Sequence, residues 1–245
     1  MRAIVCKDWG NVEDLTLEDV PPPTANPNEV LIDVKAAAVN FADSLMVAGR
    51  YQTKPDLPFT PGLEASGVIV ACGDGVTNFH PGERVMAMLA HGGYAEQATA
   101  STDDVFVIPD QMDFNDAATF PVSYISSDVA LRWQGRLAAG ETLLVLGAAG
   151  GVGLTAVEIG KAMGARVIAA ASSSEKLAVA RDHGADECIN YAEDSLKEQV
   201  MALTDNRGVN VCFDPVGGDL FDSALSLLAW GGRILVVGFV GGIPQ

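Results

Sequence analysis

The stretch ETLLVLGAAGGVGLTAVEIGKAMGARVIAAASSSEK, at residues 141–176, decides the fold of this chain. It joins an apolar run, a glycine-rich turn, a helical pattern and a second apolar run. The turn nearly matches G-x-G-x-x-G, with Ala148, Gly150 and Gly153 in the three glycine positions. The second glycine lets the backbone approach a pyrophosphate and the third lets helix and strand pack closely. Since neighbouring Gly147 can serve the tight turn, a dinucleotide site is predicted; the alternative is a turn that only packs helix on strand.

Apolar runs and helical patterns alternate through residues 122–245. Five strands are predicted at TLLVLG, ARVIAAAS, ECINY, VNVCFDPVG and RILVVGF, and helices at residues 151–161, 175–183, 195–203 and 220–228. Continuous apolar strands with helices between them are typical of a doubly wound parallel sheet. We therefore predict a nucleotide-binding Rossmann domain over residues 122–245. The backbone expected to face the phosphates comprises Ala149, Gly150, Gly151 and Val152.

Residues 1–121 have a different pattern, in which short β-rich runs are separated by turn sequences. The runs include RAIVC, EVLIDVKAAAVN, ASGVIVAC and ERVMAML, and the turns include PPPTANPNE and GDGVTNFHPGE. Glycine, proline and asparagine at these intervals favour hairpins and loops. A compact, mostly antiparallel domain is expected over residues 1–121.

The end of the second apolar run indicates which dinucleotide binds. An NAD site has Asp or Glu there to bind the ribose 2′-hydroxyl, whereas this chain has Ser172, Ser173 and Ser174, with Lys176 following. Hydroxyls and a cation suit a 2′-phosphate, so NADPH is predicted. Glu175 argues against this unless it points outward in the first helical turn. The serines could instead cap the helix, and Ser174 could do both.

Composition excludes several classes of protein. Apolar residues make up 49% of the 245, and the formal net charge is −17. Such a surface repels nucleic acid and anionic lipid, and no apolar run is long enough for a membrane span. The four cysteines are scattered, which fits neither a disulfide framework nor a zinc ribbon. The N-terminal sequence has no signal region, so a cytoplasmic location is expected.

Several motifs together resemble one family over residues 1–245. They are VNFADSLMVAGRYQTKPDLPFTPGLEASGVI, PGERVMAM, GGYAEQ, VFVIPD, AATFPVSYISSDVAL and DPVGG, in that order. The chain is similar to the zinc-independent medium-chain dehydrogenase/reductases, the quinone oxidoreductase and zeta-crystallin-like branch. The resemblance implies a GroES-like catalytic domain before the Rossmann domain, with the active site in the cleft between them. It also implies a homodimer for the complete protein.

The absence of zinc ligands at the family's positions supports that branch. Zinc-dependent relatives have a cysteine where this chain reads AVNF at residues 38–41, and Gly-His-Glu where it reads GLE at residues 62–64. No metal is therefore expected, and Glu64 is expected to form an ion pair. The three histidines are expected at the surface without a ligand partner: His80, His91 and His183.

The resemblance also implies the chemistry and its residues. Reduced nicotinamide delivers hydride to a small hydrophobic acceptor, a quinone or an α,β-unsaturated carbonyl, and at most one proton donor is needed. Tyr51 matches the family tyrosine near the nicotinamide, which serves as proton donor in related enoyl reductases; the alternative is an aromatic lining of the cleft. Asn40 matches an asparagine near the same ring; its alternative is turn chemistry.

Other positions are expected beside the cofactor. Ser126 stands where relatives often have threonine, with a helix cap as its alternative, and Tyr191 stands at the adenosine end, with an exposed loop tyrosine as its alternative. The positions expected around the nicotinamide are Val216, Gly238, Phe239 and Gly241, and a plain turn is the alternative for the glycines.

Relatives continue beyond the GFVGGIPQ that ends this sequence, into a sixth Rossmann strand and a return to the first domain. We therefore expect an incomplete first domain and impaired activity for these 245 residues alone. Two other functions stay open. One is an enoyl-thioester or acrylate-type reductase, and the other is a non-catalytic, crystallin-like NADPH-binding protein.

Overall fold

The structure is a computed structural model and describes residues 1–243. Contacts between residues divide the chain into two compact units, Met1–Val122 and Ser123–Gln245. Each unit has its own sheet and its own buried core. In the described part of the chain, none of the helices combines the length and the apolar character needed to cross a bilayer.

The first unit is built from antiparallel strands. They are β1 (Arg2–Val5), β2 (Thr16–Asp19), β3 (Glu29–Ala37), β4 (Glu64–Cys72), β5 (Arg84–Met88), β6 (Gln97–Ser101) and β7 (Val105–Val107). Two short helices, α1 (Phe41–Val47) and α2 (Phe114–Ala118), and 3-10 turns at Val12–Asp14 and Thr102–Asp104 accompany them. β1 pairs with β2, and the other five strands form a sheet in the order β6-β3-β4-β5-β7.

Alternation along β3 shows why this sheet has a buried and an exposed face. Val30 and Ile32 are fully buried, while Lys35 lies on the exposed side. Successive side chains of a strand point to opposite faces, so every second residue enters the core. The expected antiparallel, β-rich first domain is thus confirmed.

The second unit alternates helices and strands. Its helices are α3 (Phe120–Asp128), which begins just before it, α4 (Gly151–Ala162), α5 (Ser174–Asp182), α6 (Leu196–Leu203) and α7 (Gly218–Leu225), with a π-helical turn at Val129–Gln134. Its strands are β8 (Thr142–Leu146), β9 (Arg166–Ala171), β10 (Glu187–Asn190), β11 (Val209–Asp214) and β12 (Leu228–Val236).

These five strands form one parallel sheet in the order β10-β9-β8-β11-β12. The chain moves outward from β8 to β10, then crosses to the opposite side of β8. The strand order therefore reverses between β8 and β11, and in open α/β sheets ligands bind outside the carboxyl ends of the strands at such a point. The predicted doubly wound fold is confirmed, and its carboxyl edge is the place to look for a site.

Some predicted boundaries differ from the structure. The helix expected at residues 220–228 is α7, which ends at Leu225, and Leu228 already belongs to β12. The strands β2, β6 and β7 and the helices α1, α2 and α3 were not among the predicted elements. β6 reads QATAS, which has little β-propensity; its pairing with β3 makes it a strand.

Candidate functional site

The turn after β8 explains how alanine replaces the first glycine of the motif. Gly147 has the left-handed backbone (φ 58°), and Ala148 donates its N–H to the carbonyl of Ala170 at 3.1 Å. Gly150 N–H closes the turn onto the Gly147 carbonyl at 2.9 Å. The residue that needs φ > 0 is therefore Gly147, and Ala148 sits buried without strain.

The helix α4 begins at the open side of this turn. Gly150 is its N-cap and Gly151 its first residue, and both are exposed. The first N–H groups of a helix have no partner within it and carry positive potential, which favours an anion. Ala149 and Val152 are half-buried beside them. The four residues predicted to face a pyrophosphate therefore lie together around one helix N-terminus.

The hydroxyls of Ser127 on α3 and Thr155 on α4 join the two helices, and this contact was missed in the sequence. Ser127 donates to the Val152 carbonyl at 2.9 Å and lies 2.8 Å from the Thr155 hydroxyl, which donates to the Ser123 carbonyl at 3.1 Å. The predicted residue Ser126 lies within α3, half-buried, and is not a cap at the helix N-terminus. The Ser123 acceptor is a backbone carbonyl, so the sequence offered no signal for this part of the contact.

The serines after β9 lie at the next loop along the same edge. The Lys176 ammonium donates to the Ser172 hydroxyl at 3.2 Å, and Lys176 N–H donates to Ser173 Oγ at 3.4 Å. Ser173 is therefore the N-cap of α5, and the suggestion that Ser174 caps it was wrong. A hydrogen bond from Ser173 lowers the pKa of the Glu175 carboxyl, which keeps that exposed group ionised.

Tyr191 follows β10 and is half-buried against the core. Its N–H donates to the carbonyl of Ala171, the last residue of β9, at 3.1 Å. The alternative of an exposed loop tyrosine is therefore wrong. Tyr191 is fixed at the carboxyl edge, on the same side of β8 as Ser172.

The loops after β11 and β12 lie against each other. Gly241 N–H donates to the Val216 carbonyl at 2.7 Å, and Gly238 N–H approaches the Asp214 carbonyl at 3.4 Å. Phe239 is exposed between them. The four residues expected around a nicotinamide are thus brought together by a double loop, next to the point where the strand order reverses.

The first unit holds a separate polar cluster around Asn40. Its amide Nδ2 donates to Glu64 Oε1 at 2.8 Å, and Val122 N–H donates to Glu64 Oε2 at 2.8 Å. Glu64 is 1% exposed, and no cation pairs with it in the described part of the chain, so the expected ion pair was wrong. Burial raises the pKa of the Glu64 carboxyl, although the two hydrogen bonds oppose that shift.

Asp43 is a second buried carboxylate in this cluster. Its Oδ2 accepts from Asn40 N–H at 2.8 Å and from the Tyr94 hydroxyl at 2.7 Å, and Oδ1 accepts from Gly62 N–H at 3.2 Å. Burial and the bond to Asp43 raise the pKa of Tyr94 far above its usual value. The Tyr94 hydroxyl is therefore engaged within the cluster, where it donates to the Asp43 carboxylate.

Tyr51 differs from Tyr94 in this respect. It is half-buried, and its ring packs against an apolar group that includes Met46 and Phe59. Within residues 1–243 its hydroxyl has no hydrogen-bond partner. The Tyr51 hydroxyl is therefore available to a ligand, while its ring is held in place.

The histidines and acidic residues form no metal centre in the described part of the chain. No group of three or more His, Cys, Asp or Glu side chains among residues 1–243 could hold a metal ion. The three histidines are all exposed, as expected: His80, His91 and His183.

Comparison with known proteins identifies the family. Residues 26–110 match the alcohol dehydrogenase GroES-like domain, and residues 151–245 match the family described as zinc-binding dehydrogenase. Quinone oxidoreductase-like protein 2 of Rattus norvegicus is 43% identical over 98% of this chain and 69% of its own length. The chain therefore belongs to the medium-chain dehydrogenase/reductase family, in its quinone oxidoreductase branch.

Solved structures agree with this assignment. The quinone oxidoreductase of Pseudomonas syringae pv. tomato DC3000 matches with a TM-score of 0.94 at 33% identity, covering 100% of this chain and 75% of that one. The Escherichia coli quinone oxidoreductase, crystallised with NADPH, also matches with a TM-score of 0.94, at 30% identity and the same coverage.

Among residues 1–243, no group of three or more metal-ligating side chains is formed around Glu64. One Glu64 oxygen accepts a hydrogen bond from the Asn40 amide and the other from the Val122 N–H. The sequence GLE at residues 62–64 stands where zinc-dependent relatives have a histidine. A catalytic zinc needs three protein ligands, usually from Cys, His and carboxylate. The cluster around Asn40 is a hydrogen-bonded polar group that lacks the nitrogen or sulfur donors of such a site.

Proposed function

We propose that this chain is an NADPH-dependent oxidoreductase that transfers hydride, without a metal, to a quinone or an α,β-unsaturated carbonyl. One observation carries the proposal. The glycine-rich turn at Gly150 and the hydroxyl and cation pair of Ser172 and Lys176 lie at adjacent loops of the same sheet edge. A dinucleotide placed with its pyrophosphate at α4 would bring its adenosine ribose to the loop after β9.

Lys176 supports the selection of NADPH over NADH, because its ammonium offsets the ionised Glu175 carboxylate in the same helical turn. The Lys176 ammonium is exposed and already directed towards Ser172, so both can bind one phosphate. Ser173 N-caps α5, which adds the positive end of a helix to the same place. Relatives crystallised with NADPH support this choice of cofactor.

Hydride transfer from NADPH requires few catalytic groups from the protein. Bound NADPH supplies the hydride, and the protein orients the rings and excludes water. We assign to Tyr51 the proton that a reduced acceptor takes up, because its hydroxyl is uncommitted while that of Tyr94 is bound to Asp43. We assign to Asn40 the positioning of the nicotinamide end, because Glu64 and Asp43 hold both its amide and its backbone.

Titration of the protein with NADPH and NADH tests the cofactor assignment. We expect the wild-type protein to bind NADPH more tightly than NADH. Lys176→Ala should lower the affinity for NADPH by about tenfold and leave the affinity for NADH unchanged, because only NADPH carries the 2′-phosphate. Lys161→Ala is the matched control, since Lys161 pairs with Asp186 on the opposite edge of the sheet. Equal loss for both cofactors in Lys176→Ala would contradict the assignment.

Oxidation of NADPH in the presence of a quinone or an enone tests the reaction itself. Tight NADPH binding with no oxidation across both classes of acceptor would favour the non-catalytic alternative. Oxidation with enoyl thioesters alone would favour the other reductase. Addition of a chelator is expected to leave the rate unchanged, and loss of activity that zinc restores would contradict a metal-free reaction.

A further inference from the structure

Asp214 is the last residue of β11, and its side chain is fully buried. One carboxylate oxygen, Oδ1, accepts from two consecutive backbone groups, Val216 N–H at 2.8 Å and Gly217 N–H at 2.9 Å. These two bonds turn the chain back directly after the strand, next to the point where the strand order reverses between β8 and β11. The side chain of Asp214 therefore sets the path of the loop after β11.

The backbone of Asp214 also holds the loop after β12. Its carbonyl accepts from Val237 N–H at 2.8 Å, the first residue beyond that strand. Farther out, Gly218 N–H donates to the Gly242 carbonyl at 2.9 Å, which joins the tips of the two loops. A single residue therefore anchors both loops at their base.

The second carboxylate oxygen, Oδ2, is buried and has no hydrogen-bond partner in the described part of the chain. Leaving a buried polar atom unpaired costs roughly 1–3 kcal/mol. The oxygen that accepts the two N–H bonds, and not the charge of the group, sets the path of the loop, since an asparagine oxygen could accept the same bonds. An unfavourable buried group at the ligand-binding edge of a sheet calls for a functional explanation.

We infer that Asp214 is a positioning residue for the nicotinamide half of the cofactor site. The inference rests on the proposed function. In a doubly wound sheet the two halves of a dinucleotide lie on opposite sides of the reversal point, one over β8–β10 and the other over β11 and β12. Lys176 belongs to the first side and Val216 to the second. Asp214 acts on the second side alone, through the backbone of the double loop.

Two ligands separate the two halves of the site. Adenosine 2′,5′-bisphosphate is the adenosine end of NADPH and lacks nicotinamide. By calorimetric titration, we expect Asp214→Ala to lower the affinity for NADPH by about tenfold and to leave the affinity for the bisphosphate unchanged. Asp214→Asn keeps an oxygen for Val216 and Gly217, and is expected to bind NADPH within about threefold of wild type. If Asp214 acted on stability alone, its substitution would not lower the affinity for one ligand and leave the affinity for the other unchanged.

Asp186→Ala is the matched control. Asp186 also accepts a backbone N–H, that of Val167 at 2.8 Å, but it lies at the amino edge of the sheet. We expect both affinities to stay at the wild-type value. Wild-type affinity for NADPH in Asp214→Ala would overturn the inference. So would an Asp214→Asn variant that binds NADPH as weakly as Asp214→Ala does, because the effect would then come from the charge and not from the two hydrogen bonds.

If Asp214→Ala does not fold, Gly217→Ala tests whether the joined loops after β11 and β12 position the nicotinamide half of the site. A Cβ on Gly217 would lie 2.4 Å from the Gly242 carbonyl oxygen, so this change separates the loops while Asp214 stays intact. We expect the same loss for NADPH with the bisphosphate spared, and equal binding of NADPH to wild type and Gly217→Ala would contradict the inference. Failure of wild type to bind the bisphosphate contradicts the proposed function itself, which Lys176→Ala tests separately.

Discussion

A Cβ placed on Gly153 would lie 2.3 Å from the carbonyl oxygen of Gly147. That is closer than side-chain carbons approach backbone oxygens, and the oxygen belongs to the turn backbone, which has no flexible side chain that could move aside. Gly153→Ala must therefore move α4 away from β8, which we expect to lower the free energy of unfolding by roughly 1–3 kcal/mol. Urea denaturation measures this loss. A midpoint equal to that of wild type would show that the turn is looser than this contact implies.

Gly150→Ala is expected to have the opposite profile. A Cβ there meets only the Gly147 carbonyl oxygen, at an ordinary 3.4 Å, and the backbone φ of −78° suits alanine. The protein should fold with wild-type stability, whereas the added methyl occupies the side from which a pyrophosphate approaches α4. We expect NADPH affinity to fall by at least about tenfold. Wild-type affinity in this variant would mean that the phosphates lie elsewhere.

The order of strands and helices in the second unit could be predicted because each element carries its own signal. Apolar runs mark β8, β9 and β11, and the glycine-rich turn lies where the motif predicts it. Local sequence also indicated the hydroxyls and the cation after β9, since Ser172 and Lys176 are separated by one helical turn. Features decided within about ten residues are therefore readable from the sequence.

The partners of Glu64 could not be predicted in this way. Asn40 is 24 residues before it and Val122 is 58 residues after it, and nothing local announces either hydrogen bond. A cation was expected as the partner of Glu64, and nothing in the sequence showed that this residue is buried. Two neutral donors satisfy this acid instead. The hydrogen bonds of Asp214 could not be predicted either. Its partners are backbone N–H groups, which nearly every residue has, so no residue type marks them in the sequence.

Tyr94→Phe and Tyr51→Phe are a matched pair that separates structure from catalysis. Removing the Tyr94 hydroxyl takes a hydrogen bond from the buried Asp43 carboxylate, and we expect a loss of roughly 1–3 kcal/mol in unfolding free energy. Removing the Tyr51 hydroxyl breaks no bond among the described residues, so stability should be unchanged. If Tyr51 donates the proton, kcat with an enone should fall by about a hundredfold. Unchanged kcat in Tyr51→Phe would leave Tyr51 as an aromatic lining.

The raised pKa of Glu64 makes a signed prediction about stability and pH. Burial raises this pKa in the folded state, whereas the unfolded carboxyl titrates near its ordinary value of about 4.3. As pH rises from that value through the folded pKa, the unfolded state loses the proton first, so this group lowers stability with increasing pH. Glu64→Gln removes the effect. We therefore expect the unfolding free energy of Glu64→Gln, relative to wild type, to increase as pH rises across this window.

Glu96→Gln is the control with the opposite sign. The Arg2 backbone N–H and its guanidinium lower the pKa of the exposed Glu96 carboxyl, so the folded state releases this proton first. The stability contributed by Glu96 is present above the unfolded pKa and is lost as pH falls through the folded pKa. Relative to wild type, Glu96→Gln should therefore become less stable as pH rises, by a small amount because the pair is exposed. Urea midpoints measured from pH ~4 to ~8 give both slopes. If the two variants slope in the same direction, Glu64 does not carry the burial penalty that its hydrogen bonds only partly offset.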